Sequence, residues 1–126
     1  MGTEIRKLLG SLPKIKASFV EPMECLSVSK LPEGLGWTWE IKFDGYRALA
    51  VKPETGVTLF SRRRKSLNSQ FPYIVEALAD LPAGTVTDGE LVALDDSGRP
   101  DFNLLQNCRA EASRIHYYVF DLSCWK

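Results

Sequence analysis

Hydrophobic and polar positions change rhythm several times along the chain, and each change marks an expected element. Trp37-Thr38-Trp39-Glu40-Ile41-Lys42 alternates large and polar side chains with period two, which predicts a strand ending at Lys42. Asp44-Gly45 is a turn pair, and Tyr46 to Lys52 is expected to run back as a second strand. Pro53 to Gly56 makes a further turn before a short strand from Val57 to Ser61, so this part should form an antiparallel meander. From Phe71 to Leu81 the apolar residues Ile74, Val75, Leu78 and Leu81 fall at helical spacing, and Pro82-Ala83-Gly84 is expected to end that helix. Thr85 to Leu94 predicts a strand region interrupted at Asp88-Gly89, and Asp95 to Gly98 a turn. Asp101 is placed to cap a short helix reaching about Arg109, and Ile115 to Leu122 forms an apolar, aromatic strand.

Before Trp37 the pattern is weaker. Residues 1–17 carry Arg6, Lys7, Lys14 and Lys16 around a few leucines without a clear period, and read as a basic lead-in or linker. Residues 18–36 hold Pro22, Pro32, Gly34 and Gly36, which predicts loop with a helical turn near Met23 to Leu26. Strands and helices mix without a βαβ rhythm, so the expected class is α+β with a largely antiparallel sheet. The last strand closes almost at Lys126, and a sheet ending there is expected to lack partner strands, as in a fragment of a larger domain.

Composition narrows this reading without redirecting it. The 126 residues are 44% hydrophobic and 25% charged, with zero net charge, which argues against coating nucleic acid by bulk charge alone. Charge is instead local, in the run Arg62-Arg63-Arg64-Lys65. Cys25, Cys108 and Cys124 are widely spaced with no CxxC pair, a pattern that suits reduced thiols rather than a zinc site or disulfide framework. The N-terminal stretch lacks a continuous apolar run, so neither a signal peptide nor a membrane span is expected, and a cytoplasmic location follows. The single histidine, His116, reads as a strand residue without a metal-type partner nearby.

Candidate chemistry gathers around Lys42. Alternation would put Glu40 and Lys42 on one face of their strand, and the turn at Gly45 would bring Arg47 back towards it. A lysine amine is a nucleophile only when neutral, and at an ordinary pKa near ~10.4 only about one in a few thousand is neutral at pH 7. Burial and neighbouring cations, here Arg47 and the run at 62–65, would raise that fraction and allow covalent attack.

The segment Lys42-Phe43-Asp44-Gly45-Tyr46-Arg47 resembles the KxDGxR motif of ATP-dependent DNA ligases and mRNA capping enzymes. Ser61-Arg62 followed by Phe71-Pro72, then Asp88-Gly89-Glu90-Leu91-Val92, then Tyr118-Val119-Phe120-Asp121-Leu122, resemble the later ligase motifs in their family order. Pro22-Met23 and Gly98-Arg99-Pro100-x-Phe102 are similar to the ligase domain of bacterial end-joining ligases of the D type. The resemblance spans roughly residues 18–122 and implies the first part of an ATP-grasp-like nucleotidyltransferase domain, with its second half and OB-fold domain outside this chain. It implies that Lys42 attacks the α-phosphate of ATP to give lysyl-AMP, for transfer to nicked or broken duplex DNA in repair. It further implies that Glu40 and Ile41 line the adenine side, Arg47 reaches ribose or phosphate, and Arg62 binds phosphate. Glu90 would accept from a ribose hydroxyl and Phe120 would stack on the purine. Asp44 and Gly45 would support the turn, while Arg63, Arg64 and Lys65 would meet DNA phosphates.

The resemblance has departures. Where the second motif usually has glycine shortly after Ser-Arg, this chain has Arg63-Arg64-Lys65, and Ser123-Cys124-Trp125-Lys126 leaves the usual Leu-rich continuation. The Mg2+-binding glutamate and phosphate-holding lysines of the family's later motifs do not fit within 126 residues. The chain is therefore expected to be weak or inactive alone and to need a complementary ligase half or self-association. Two alternatives accompany this reading: a noncatalytic ATP- or DNA-binding remnant, and an RNA ligase or capping-type nucleotidyltransferase, which shares the first motif.

Overall fold

The computed structural model describes residues 15–107 and 114–124, with Lys7 and Ser11 as isolated residues besides. Most of the basic lead-in, the helix end expected near Arg109, and the tail at Trp125 lie outside the described residues. Four antiparallel strands and two short helices make up the rest: β1 (Tyr46–Lys52), β2 (Thr58–Ser61), α1 (Pro72–Ala77), β3 (Thr85–Ala93), α2 (Phe102–Asn107) and β4 (Ile115–Cys124). The sheet order is β2-β1-β3-β4. The α+β class and the antiparallel sheet expected from the sequence are both present.

Alternation gives the sheet two unlike faces. Ala48 and Ala50 of β1, Leu59 of β2, and Leu91 and Ala93 of β3 point to one side and form the main core with Phe71 and Leu105, against which Ile74, Val75, Leu78 and Phe102 pack. Both helices thus cover this face. Leu49, Val51 and Val86 point to the other side, where Ala17, Phe19 and Phe60 cover them. That second face is crossed by no helix among the described residues, and the coil segment Ala17 to Glu24 lies against it.

Local chemistry sets the element ends. Asp101 accepts through one carboxylate oxygen from the backbone N–H groups of Asn103 (2.9 Å) and Leu104 (3.1 Å), capping α2 as its sequence position predicts. Helix α1 is shorter than the apolar spacing predicts. It has no side-chain cap, and beyond Ala77 the chain tightens into i→i+3 bonds, Ala79 N–H to Glu76 and Leu81 N–H to Leu78. The expected break in β3 at Asp88-Gly89 does not occur. The strand is continuous, and the irregularity lies in its pairing with β4 instead.

Two further expectations are corrected. Residues 37–42 form no strand, and Trp37, Trp39 and Ile41 are exposed. A strand needs a ladder partner, and none lies beside this segment among the described residues, so the alternation is realised as exposed coil. The helical turn near Met23 is absent as well: residues 21–28 are coil, with Pro22 buried.

Edges complete the picture. Asn68 donates to the Val57 carbonyl and accepts from the Leu59 N–H, both at 2.8 Å, while Leu67 N–H bonds Leu59 O, so the outer edge of β2 is satisfied by its own following loop. The outer edge of β4 has no partner among the described residues.

Candidate nucleotide-binding face

Register brings the motif residues together. Arg47 of β1 pairs with Glu90 of β3, and Glu90 pairs with Tyr118 of β4. Ser61 pairs with Ala48, so Arg62 leaves β2 beside Arg47. A row Arg62, Arg47, Glu90, Tyr118 therefore crosses the helix-free face of the sheet. One step along lie Phe60, Leu49 and Asp88, in register with one another. Polar chemistry thus sits directly beside an apolar patch on a single face.

Arg47 is the centre of this arrangement. Its Nε and Nη2 donate to the two oxygens of Asp88 at 2.6 and 2.7 Å, a planar fork-to-carboxylate pairing. That hydrogen bonding, with the Asp88 charge, holds the guanidinium still more firmly protonated despite partial burial. Its Cζ lies 4.7 Å from the centroid of the Phe120 ring. Phe120 reaches there because β4 is bulged: Asp88 pairs with Asp121 and Gly89 with Val119, so Phe120 is the extra residue. Half of its surface remains exposed.

Glu90 is half-buried, and that burial pushes its carboxyl above the usual range. The Arg47 charge and a hydrogen bond from the Gly45 N–H act in the opposite direction. Gly45 matters here for a reason other than turn geometry. Its φ is not in the left-handed region, but a Cβ would collide with the Leu91 carbonyl oxygen. Gly89 is required likewise: a Cβ there would collide with the Tyr118 carbonyl and lie 2.6 Å from the Tyr117 ring. Tyr117 crosses under Gly89 to bond the Ala48 carbonyl (3.0 Å), and burial pushes its phenol up to about 12. Both Asp-Gly pairs are thus sites of close backbone approach rather than turns.

The other expected residues lie elsewhere. Glu40, Ile41 and Lys42 are exposed in coil, and Lys42 makes no hydrogen bond or ion pair among the described residues. The burial that the expected nucleophilic role asks of Lys42 is absent, because the strand predicted to carry it does not form. Nor does Gly45 turn Arg47 back onto a face shared with Glu40 and Lys42. Asp44 is exposed at the bend, close enough for its charge to oppose ionisation of Glu90. Arg62, Arg63, Arg64 and Lys65 are exposed in the loop after β2, where Arg64 takes a left-handed φ of 60° and Arg62 pairs with Glu24 at 2.6 Å.

Three members of this face were missed from sequence. Phe43 stacks on Tyr118 with ring centroids 4.3 Å apart and planes at 16°. Asp88 is the anchor of Arg47. The signal for Asp88 was available, since it stands two positions before Glu90 and must share its face of the strand. Pairing of Phe43 with Tyr118 depends on strand register, which no local pattern reveals.

Comparison with known proteins decides the family. The sequence pattern described as the ATP dependent DNA ligase domain matches residues 19–125. The chain belongs to that family. Among its relatives, the multifunctional non-homologous end joining protein LigD of Pseudomonas aeruginosa is 38% identical over 102 residues, covering 79% of this chain and 12% of its own length. The SPbeta prophage-derived DNA ligase-like protein LigB of Bacillus subtilis is 33% identical over 107 residues, covering 82% of this chain and 39% of its own. Among solved structures, the ligase domain of M. tuberculosis LigD superposes with a TM-score of 0.57 at 39% identity, covering 66% of this chain and 28% of that one. The ligase chain thus spans well under half the length of these relatives. Its likeness to the LigD ligase domain makes the sheet part of a nucleotidyltransferase fold. No helix among the described residues is long and apolar enough to cross a membrane.

Proposed function

We propose that this chain supplies the adenylate-binding face of an ATP-dependent DNA ligase, with Lys42 as the residue that carries AMP. The observation that carries the reading is the row Arg62, Arg47, Glu90, Tyr118 on one helix-free face, with Phe120 beneath Arg47. An exposed aromatic face takes a purine by stacking, worth about 1–3 kcal/mol for a base on an aromatic side chain. An ionised Glu90 accepts from a ribose hydroxyl, and Arg47 and Arg62 offer guanidinium donors to phosphate oxygens. A solved relative, the mycobacterial DNA ligase D, is described as a complex with ATP, which supports the same ligand here.

In this reading the Lys42 amine, having lost a proton, attacks the α-phosphorus of ATP. A P–N bond forms as the P–O bond to pyrophosphate breaks, leaving lysyl-AMP. AMP then passes to a DNA 5′-phosphate and is displaced by a 3′-hydroxyl. Lys42 lies outside the sheet, so adenylation requires its segment to pack against the nucleotide face. A complementary ligase half is the partner we assign to that task. ATP-dependent ligation uses Mg2+, yet among the described residues no three His, Cys, Asp or Glu side chains converge. Asp88 is spent on Arg47. These residues do not make a metal site.

The test is covalent labelling. With ATP labelled in the α-phosphate and magnesium, the isolated chain is expected to form little or no adduct. Mixed with a complementary C-terminal ligase half, it is expected to form an acid-labile adduct that Lys42→Ala abolishes. No adduct in the mixture would overturn the catalytic role. A second reading, a noncatalytic binding remnant, is favoured by the exposure of Lys42. It predicts ATP binding that depends on Phe120 and Glu90 without any adduct under either condition.

A further inference from the structure

The segment Ala17 to Glu24 meets Arg47, Arg62 and Arg64 on the basic side of this face. Ala17 is buried against the Leu49, Val51 and Val86 cluster, and the Phe19 ring meets Phe60 edge-on at 5.5 Å. Phe19 also lies under Arg64, with the guanidinium 5.3 Å from its centroid. Further on, the Met23 carbonyl accepts from Arg47 at 3.4 Å, and the next residue, Glu24, holds Arg62 at 2.6 Å. Three arginines expected to face phosphate are therefore engaged by one strap, Ala17 to Glu24.

The contacts are not equivalent. Those of Ala17 and Phe19 are apolar and anchor the strap, while the Glu24–Arg62 pair is exposed on both sides, 60% and 64%. A carboxylate and a phosphate present the same kind of oxygen acceptor to a guanidinium. An exposed ion pair is weak and readily exchanged for another anion. We propose that Glu24 is a built-in competitor for phosphate at Arg62, and that it sets how tightly the loop Arg62–Lys65 takes phosphate oxygens of a polyphosphate or a nucleic-acid backbone. A phosphate ligand must displace the Glu24 carboxylate, so binding is selective for ligands with enough further contacts to offset that exchange. The left-handed Arg64, stacked over Phe19, keeps the loop folded against the strap while this happens. Two backbone bonds, Ser61 N–H to Lys65 O and Arg64 N–H to Ser61 O, and one from Lys65 N–H to the Ser61 hydroxyl also close the loop. The proposal concerns phosphate affinity alone and stands apart from adenylation by Lys42.

The experiment titrates the chain with inorganic tripolyphosphate, with ATP and with nicked duplex DNA carrying a 5′-phosphate, at low and moderate salt. Glu24→Gln is compared with Glu21→Gln, which removes the same charge from the same strap. Glu24→Gln is expected to tighten tripolyphosphate binding about threefold, the scale of one exposed ion pair, and the gain should shrink with salt. Glu21→Gln should give a clearly smaller gain. In an Arg62→Gln background the gain from Glu24→Gln should vanish. Equal gains from both glutamines, a gain that survives Arg62→Gln, or no binding in any variant would each overturn the proposal. The duplex arm separates a polyphosphate tail from a nucleic-acid backbone as the ligand that benefits. If tripolyphosphate behaves as expected but ATP binds no tighter than tripolyphosphate, the nucleotide face fails while the role of Glu24 stands.

Discussion

Gly45 carries two duties that a side chain would break. Its N–H serves the Glu90 carboxylate, and its Cα lies against the Leu91 carbonyl with no room for a Cβ. Because the obstacle is paired backbone of β3, relief requires the strands to move apart. Gly45→Ala is therefore expected to lower stability by about 1–3 kcal/mol, as overpacking does, read as a fall in the urea midpoint. Glu90 gives a second prediction at this scale. Its carboxyl is raised from 4.5 by burial, so the folded chain holds the proton more tightly than the unfolded one. That contribution to stability is full below about 4.5 and is lost as pH rises through the raised folded value. Glu90→Gln removes the titration, so it should gain stability relative to the parent between about pH 4 and pH 7. A constant difference between the two urea midpoints across that range would show that Glu90 is not desolvated in solution. The resemblance to ligase motifs pointed to Glu90, Arg47 and Phe120, and the register of β1, β3 and β4 is what brings them to one face. The resemblance did not single out Phe43 or the Asp88 anchor, whose roles arise from register and from which of several nearby charges Arg47 meets.

At the scale of elements, ends that carry their own chemistry were legible and ends that depend on distant chain were not. Asp101 announces α2 because a cap acts within three residues. Its own N–H also bonds the Ala93 carbonyl, so the cap ties the helix to β3. Asp101→Ala should cost about 1 kcal/mol and raise amide exchange at Asn103 and Leu104 before it affects the sheet. Equal exchange in both proteins would mean that packing of Leu105 alone holds the helix. By contrast, 37–42 has as good an alternation as any strand here yet stays coil, since a ladder is a property of two segments. Asn68 is the converse. Its side-chain amide imitates a strand neighbour at β2, and nothing in the local pattern around it points to that role.

For the whole molecule the decisive asymmetry is between its two sheet edges. β2 is closed off by Asn68 and Leu67, whereas the outer edge of β4, ten residues long, offers its backbone groups without a partner among the described residues. Val119, Phe120 and Leu122 are exposed along it, and Trp37, Trp39 and Ile41 add exposed apolar surface in the coil before β1. An open, long and apolar edge templates pairing with another strand, and proteins that keep such edges free blunt them with charge. The described part of β4 from Tyr117 to Leu122 has a single charge, Asp121. The chain alone is therefore expected to associate as its concentration rises, seen as a concentration-dependent shift in sedimentation velocity. Val119→Lys places a cation on that edge, opposite Gly89 and away from the Arg47–Phe120 face, so it should suppress association while leaving ATP binding intact. A complementary ligase half that pairs with β4 should compete with the association and should lose affinity for Val119→Lys. If the chain stays monomeric at all concentrations and Val119→Lys binds such a half as the parent does, the edge of β4 is not the surface through which this domain is completed.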